Sequence, residues 1–370
     1  MSEDLTPRAV AWATTMAGHD AGGLVRAHED SFTTIDVRRP VLRAEREAAE
    51  EALLRPGATR ARGAGRRARD EEPDLERTCF ERDRDRIVHS TAFRRLAGKT
   101  QVVVFPTDHQ RTRLSHALEV SQVATSIARG VGANPTLAEA IALGHDCGHG
   151  PGGHASEDAF DAFLPEGYDH GPWGADVVLA PLNLCLETLD GIRNHSWSRP
   201  APATIEGEIV SWADRIAYCA HDLEDAISAG ILAAADVPAA VREVCGATRR
   251  EQLSTFIEAV VEATAETGAI GMRPDAAAGL AALRAFNYER IYTRPESLAQ
   301  SEAVIAVLRA LVEYFLERPA DIPRQFAELD PVRRAVAYVG GMTDRFAFDT
   351  AQSLLGWDPA RLPRGIGRGA

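Results

Sequence analysis

The run His145-Asp146-Cys147-Gly148-His149-Gly150-Pro151-Gly152-Gly153-His154-Ala155-Ser156-Glu157 places three histidines within ten residues, interleaved with four glycines and a proline. The residues before it set its context. Thr136 and Glu139, just after Pro135, are positioned as a capping box that starts a helix through Ile141 and Leu143. The His145-Asp146 pair therefore falls at the C-terminal end of an otherwise apolar helix. Two adjacent ionisable side chains are costly to bury there unless they coordinate something. The same dipeptide recurs at His19-Asp20 and His221-Asp222, so the pair alone says little. Its company is what marks it.

Working outward, helical periodicity dominates from about residue 76. His116, Val120, Val123 and Ile127 share one stripe of a helix spanning 114–129. A helix predicted over 206–229, ended by Gly230, carries Asp214, Tyr218, Asp222 and Asp225 along a nearly continuous polar stripe. Val304, Leu308, Leu311 and Phe315 mark an amphipathic helix closed by Pro319. The best strand candidate is the single run 101–105. The pattern predicts a mostly α fold with no internal repeat and no dinucleotide-type glycine loop. Three regions are expected: an arm over 1–75, a core over 76–230, and a C-terminal helical region over 231–370 packed on the core. Within the arm, the stretch from Arg55 to Arg69 holds six arginines, three glycines and no acid before Asp70, Glu71, Glu72 and Pro73; it reads as a mobile basic loop against an acidic stop.

Composition bounds the function. The 370 residues carry a net charge of −13, which excludes a general nucleic-acid coat and a polybasic membrane binder. Any anion must meet a local cluster. Of the cationic residues only Lys99 is a lysine, an oddity against an arginine background. Five scattered cysteines without a CxxC pair predict reduced thiols and a cytoplasmic protein. No run of about 18 apolar residues predicts a membrane span.

Two imidazoles and two carboxylates, His116, His145, Asp146 and Asp214, contributed by three predicted helices, suit a six-coordinate divalent ion with water in the open positions. A lone histidine on an apolar stripe is more commonly a satisfied core residue; the four together point to metal. His154 and Glu157, three apart after the glycine turn, are spaced for a carboxylate to fix the tautomer of an imidazole, as a general base requires. Between Arg82 and Arg113 lie eight basic residues and three acids (Asp83, Asp85, Asp108). This local focus of +5 fits a polyphosphate near the metal, with Arg113 one turn from His116 and Arg215 beside Asp214.

The order His116, His145-Asp146, Asp214 resembles the metal signature of the HD phosphohydrolase superfamily. The blocks at 84–90, 93–96, 99–102, 111–114, 119–122, 216–223 and 341–346 are similar to the bacterial deoxyguanosinetriphosphate triphosphohydrolase-like proteins. This resemblance runs from about 77 to 348. It implies an HD-domain helical fold with an additional C-terminal helical region, and a metal-dependent dNTP triphosphohydrolase that cleaves at the α-phosphorus to release deoxynucleoside and inorganic triphosphate. By the same resemblance His116, His145, Asp146 and Asp214 bind the metal, Mn²⁺ or Mg²⁺ first, with Fe, Co or Ni compatible. His154, supported by Glu157, activates water, and His170 is a further catalytic imidazole. Tyr218 packs on the sugar and Asp222 lies near its 3′-hydroxyl. Arg113, Arg215, Lys99, Arg95 and His149 complete the substrate-binding set. A homo-oligomer and a dNTP effector are implied as partners; no membrane and no nucleic acid are required. The family usually carries Pro-Pro-Phe-Gly-His before the general base, where this chain has Gly150-Pro151-Gly152-Gly153-His154, so an apolar wall is missing and the turn is looser.

Overall fold

The computed structural model describes residues 5–102, 110–326 and 328–363. Contacts divide the chain into two units, Met1–Val41 and Leu42–Ala370. The first contains α1 (Pro7–Thr15), capped by the Thr6 hydroxyl, which accepts from the Ala9 amide at 3.3 Å. It also contains a two-stranded antiparallel ladder pairing His19 with Arg26 and Asp20 with Val25. α1 buries no residue.

The second unit is helical: α2 (Arg43–Leu53), α3 (Cys79–His89), α4 (Thr91–Arg95), α5 (Arg113–Val131), α6 (Pro135–Gly144), α7 (Ala155–Asp161), α8 (His170–Trp173), α9 (Leu186–Asn194), α10 (Ile205–Ser228), α11 (Ala239–Cys245), α12 (Arg249–Thr267), α13 (Pro274–Asn287), α14 (Pro295–Glu317), α15 (Pro331–Gly340) and α16 (Asp344–Leu355). The mostly α class is thus observed. The strand expected over 101–105 lies largely outside the described residues, as does Asp108. No helix among the described residues is long and apolar enough to cross a membrane.

Local chemistry explains the helices that matter. α6 starts two residues earlier than the capping-box reading. Asn134 is the cap, its side-chain oxygen accepting from Thr136 and Leu137 amides at 3.0 and 3.3 Å. Pro135 occupies the first helical position, where its missing N–H costs nothing, so the cap must precede it. α10 starts at the Thr204 hydroxyl, which accepts from Gly207 at 3.1 Å, and stops where Gly230 takes φ +73°.

Within the basic stretch from Arg55 to Arg69, one arginine is anchored in the interior. Arg67 is buried against Asp83 at 2.6 Å and donates to the Asn183 and Cys79 carbonyls. Asp83, itself fully buried, also accepts from the Cys185 amide and Thr188 hydroxyl at 2.8 and 2.7 Å. Arg60 and Arg62 pair with Glu51 and Glu47 of α2.

Two apolar cores form. The first joins α3, α5, α6, α9 and α10 through side chains such as Ile87, Val120, Ile141, Ile192 and Ile216, and takes in Phe256 of α12 and Leu283 of α13. The second joins Phe160 of α7, Tyr168 and Trp173 of α8 to Val304, Leu311 and Phe315 of α14, Val336 of α15 and Phe348 of α16. Packing therefore does not follow chain order: α11–α13 belong with the first core, and residues 155–173 with the second.

Candidate active site

A cavity of about 450 Å³ opens where these cores meet, within the range of small-molecule sites. α5 delivers His116 to its wall, the end of α6 delivers Asp146 with His145 buried behind it, and α10 delivers Asp214. His116 Nε2 stands 3.1 Å from Asp214 Oδ1. His145 Nε2 is 3.6 Å from the same oxygen and 3.4 Å from Asp146 Oδ1. His116 Nε2 lies 3.9 Å from Asp146 Oδ2. The four residues singled out in sequence therefore converge. One nitrogen of His145, Nδ1, is held by the Ala142 carbonyl at 2.6 Å, so it carries the proton. Its Nε2 is buried with no hydrogen-bond partner and faces two carboxylates. Burial disfavours charge on His145, yet Asp146 and Asp214 outweigh it and raise its pKa to about 9. The pocket thus favours positive charge at this point, and its N/O donor set suits a hard or borderline divalent ion.

Asp146 has a second partner. Arg113, only 1 % exposed, donates to Asp146 Oδ2 at 2.7 Å. Arg113 precedes His116 by three residues on α5, so one helical turn sets its guanidinium beside the cluster. Arg113 Nη2 also lies 3.5 Å from His154 Nδ1.

His154 opens α7 and its ring faces the cavity. The surrounding protein and the Arg113 guanidinium push its pKa below the ordinary imidazole value, favouring the neutral ring, although the side chain stays exposed to the cavity. The predicted pairing of His154 with Glu157 is corrected by the geometry. Glu157 Oε1 instead accepts from His170 Nδ1 at 2.6 Å and stands 3.5 Å from His149 Nδ1. A buried imidazole on α8 offers the carboxylate a charge-assisted bond, and this contact wins over the i, i+3 neighbour.

His170 completes a chain. Its Nε2 lies 3.0 Å from Nε2 of His195, whose Nδ1 is held by the Ile192 carbonyl at 2.8 Å. A carbonyl only accepts, so His195 Nε2 is the acceptor and His170 is the donor. His170 therefore donates from both nitrogens. Burial opposes that charge, but Glu157 overrides it and raises the His170 pKa. Burial and the neighbouring imidazoles hold His195 low, near 3. His149 stacks on His170 with ring centroids 3.8 Å apart.

The upper cavity is lined from α10 and α13. The Arg215 guanidinium lies 3.5 Å above the Trp197 ring. Tyr218 accepts from Arg284 Nε at 2.8 Å. Tyr292, on a π-helical turn over Tyr288–Tyr292, donates to Asp222 Oδ2 at 2.5 Å. Asp222 Oδ1 is buried without a partner, and burial pushes the Asp222 pKa up to about 7. His195, Trp197, Arg284 and Tyr292 carry no sequence signal. They reach the cavity only through tertiary packing.

Two expected substrate contacts are corrected. Lys99 does not line the cavity: it is buried, donating to the carbonyls of His149 and, at 2.9 Å, Gly340. Burial pushes its pKa down to about 8. Arg95 also lies off the cavity. Four further cations of the +5 stretch are held in ion pairs, Arg82 and Arg86 with Glu71, Arg84 with Asp85, and Arg111 with Glu119, Glu224 and Asp225. Among the described residues the cavity-lining cations are Arg113, Arg215 and Arg284.

Comparison with known proteins agrees with this geometry. Residues 113–219 match the HD domain, and residues 270–353 match the phosphohydrolase-associated domain. The class is that of HD-domain phosphohydrolases. The chain is 40% identical to the deoxyguanosinetriphosphate triphosphohydrolase-like protein of Caldanaerobacter subterraneus subsp. tengcongensis, over 81% of this chain and 92% of that protein. Its counterpart in Clostridium perfringens is 40% identical over 76% of this chain and 87% of its own length. A Deinococcus radiodurans relative is 37% identical, over 85% and 99%. The chain belongs to the deoxyguanosinetriphosphate triphosphohydrolase-like family.

Proposed function

We propose that this phosphohydrolase is a metal-dependent dNTP triphosphohydrolase, releasing deoxynucleoside and inorganic triphosphate. The observation that supports this reading is that one cavity joins a His/Asp cluster and arginines to an aromatic-carboxylate end. These are the chemistries needed for a polyphosphate and a sugar at once. His116, His145, Asp146 and Asp214 would hold the divalent ion, Mn²⁺ or Mg²⁺. When bound, such an ion polarises a phosphoryl oxygen and lowers the pKa of a coordinated water. Arg113, fixed by Asp146, and Arg215, stacked on Trp197, neutralise phosphate oxygens. His154, neutral and facing the cavity, takes the proton of the attacking water. Glu157 and His195 fix both nitrogens of His170, which presents its stacked partner His149 at one orientation. Tyr218, held by Arg284, packs on the sugar, and Asp222, held by Tyr292, offers Oδ1 to the 3′-hydroxyl.

The test is to incubate the purified protein with each dNTP and Mn²⁺ or Mg²⁺, singly and in pairs, and to resolve the products. Inorganic triphosphate is expected. Orthophosphate would replace this reading with a phosphatase acting on single phosphates. Pairing the nucleotides reveals any effector requirement. In the same assay His154→Ala should lower turnover by ~10²–10⁴-fold, the contribution of a positioned acid-base group, while metal content stays at the wild-type level. Unchanged turnover would remove His154 from this role.

A further inference from the structure

The turn from His149 to His154 is made largely of glycine, and Gly152 and Gly153 both adopt left-handed backbone, at φ +73° and +65°. Such residues have no intrinsic preference for one conformation, and fixing them costs entropy. The side chain of greatest interest here, His154, hangs from the end of this turn. Something outside it must hold it.

We propose that Asp344 and Lys99, neither of which lines the cavity, are positioning residues that lock this turn and so set His154 over the metal-binding residues; the inference rests on the proposed role of His154. Asp344, the first residue of α16 and 2 % exposed, divides its carboxylate between two segments. Oδ1 accepts from the Gly152 amide at 2.8 Å. Oδ2 accepts from the Thr100 amide at 3.0 Å and the Thr100 hydroxyl at 2.5 Å. One residue earlier, the Lys99 ammonium grips the start of the same turn at the His149 carbonyl and joins it to Gly340, the last residue of α15.

The turn is thus pinned at both ends, at His149 and at Gly152. Both pins run to the helices of the second core. The fit leaves no slack: a methyl on Gly152 would lie 2.4 Å from a Val304 methyl, and one on Gly153 would lie 3.0 Å from the Thr100 carbonyl. Three hydrogen bonds on one buried carboxylate, with a buried ammonium beside it, are costly to assemble and are destabilising when half-made. The Pro-Pro-Phe segment usual in the family would stiffen this turn from within; here the stiffness is supplied from outside.

Asp344→Asn replaces one acceptor oxygen by a donor and must lose either the Gly152 or the Thr100 contact. Thr100→Val removes the hydroxyl while keeping the side-chain shape, and Thr100→Ser restores it. Lys99→Met empties the other pin. For each full-length variant, amide hydrogen exchange is measured across 148–154, together with bound metal, kcat and KM for triphosphate release. Asp344→Asn and Lys99→Met should raise exchange at this turn on the order of tenfold or more. Bound metal should stay at wild-type stoichiometry. kcat should fall ~10–100-fold, the scale of a misplacement near 1 Å, with KM within about threefold. Thr100→Val should shift both readouts in the same direction, and Thr100→Ser should recover them. Unchanged exchange in Asp344→Asn and Thr100→Val overturns the clamp, as does raised exchange with kcat intact. If the wild type releases no triphosphate from any dNTP, the proposed function fails, and the exchange measurement alone still decides whether the turn is held by Asp344.

Discussion

Asp146→Ala is expected to strip the divalent metal from the protein and to lower triphosphate release by ~10³-fold or more, since the ion contributes several kcal/mol of charge stabilisation. The reason goes beyond the loss of one ligand. Asp146 Oδ1 is shared among His145 and His149 at 3.4 and 3.3 Å, while Oδ2 is the partner of Arg113 at 2.7 Å. Removing the carboxylate leaves a buried guanidinium without its counter-charge, a change worth ~3–5 kcal/mol of stability. Metal analysis of the purified variant and a denaturant titration separate the two effects. Chelation of the wild type should reproduce the loss of turnover but not the loss caused by Arg113. A variant retaining stoichiometric metal would remove Asp146 from the ligand set.

The second large effect is expected from a single methyl. Gly148→Ala should lower kcat by ~10²-fold and destabilise the protein by ~1–3 kcal/mol or more. A Cβ there would lie 1.9 Å from the His170 carbonyl oxygen and 2.6 Å from the Gly174 amide nitrogen. Both obstacles are backbone, so no rotamer change relieves them. α8 must move, carrying His170 away from Glu157 and His195. Gly271→Ala, where nothing lies within 4 Å and the backbone is ordinary, serves as the control. Kinetic constants and melting curves for both variants check the pair, and a near-wild-type Gly148→Ala would show that α8 tolerates displacement.

The His/Asp cluster was legible because its signal is local in part and periodic in the rest. His145 and Asp146 are adjacent, and helical spacing alone puts His116 and Asp214 on inward faces. Arg113 was legible for the same reason. The charge count between Arg82 and Arg113 misled because it ignored distant partners: Glu71, Glu224 and Asp225 occupy those arginines. Lys99 was marked by composition, but its buried position could not be read from the chain. His195 follows α9 with no motif, and Arg284 and Tyr292 enter from helices more than 60 residues beyond Asp214. The partner of Glu157 was missed because sequence spacing ranks the neighbour on the same helix above an imidazole brought in by α8.

The division into two cores has a consequence for how the protein fails under stress. His116, His145 and Asp214 hang from the first core, whereas His154, Glu157 and His170 hang from the second. α7 packs directly on α14 in the second core, whereas His116, His145 and Asp214 are carried by helices of the first. A partial loosening of α14–α16 is therefore expected to cost activity before it costs the His/Asp cluster, which amide exchange followed alongside turnover on heating would reveal.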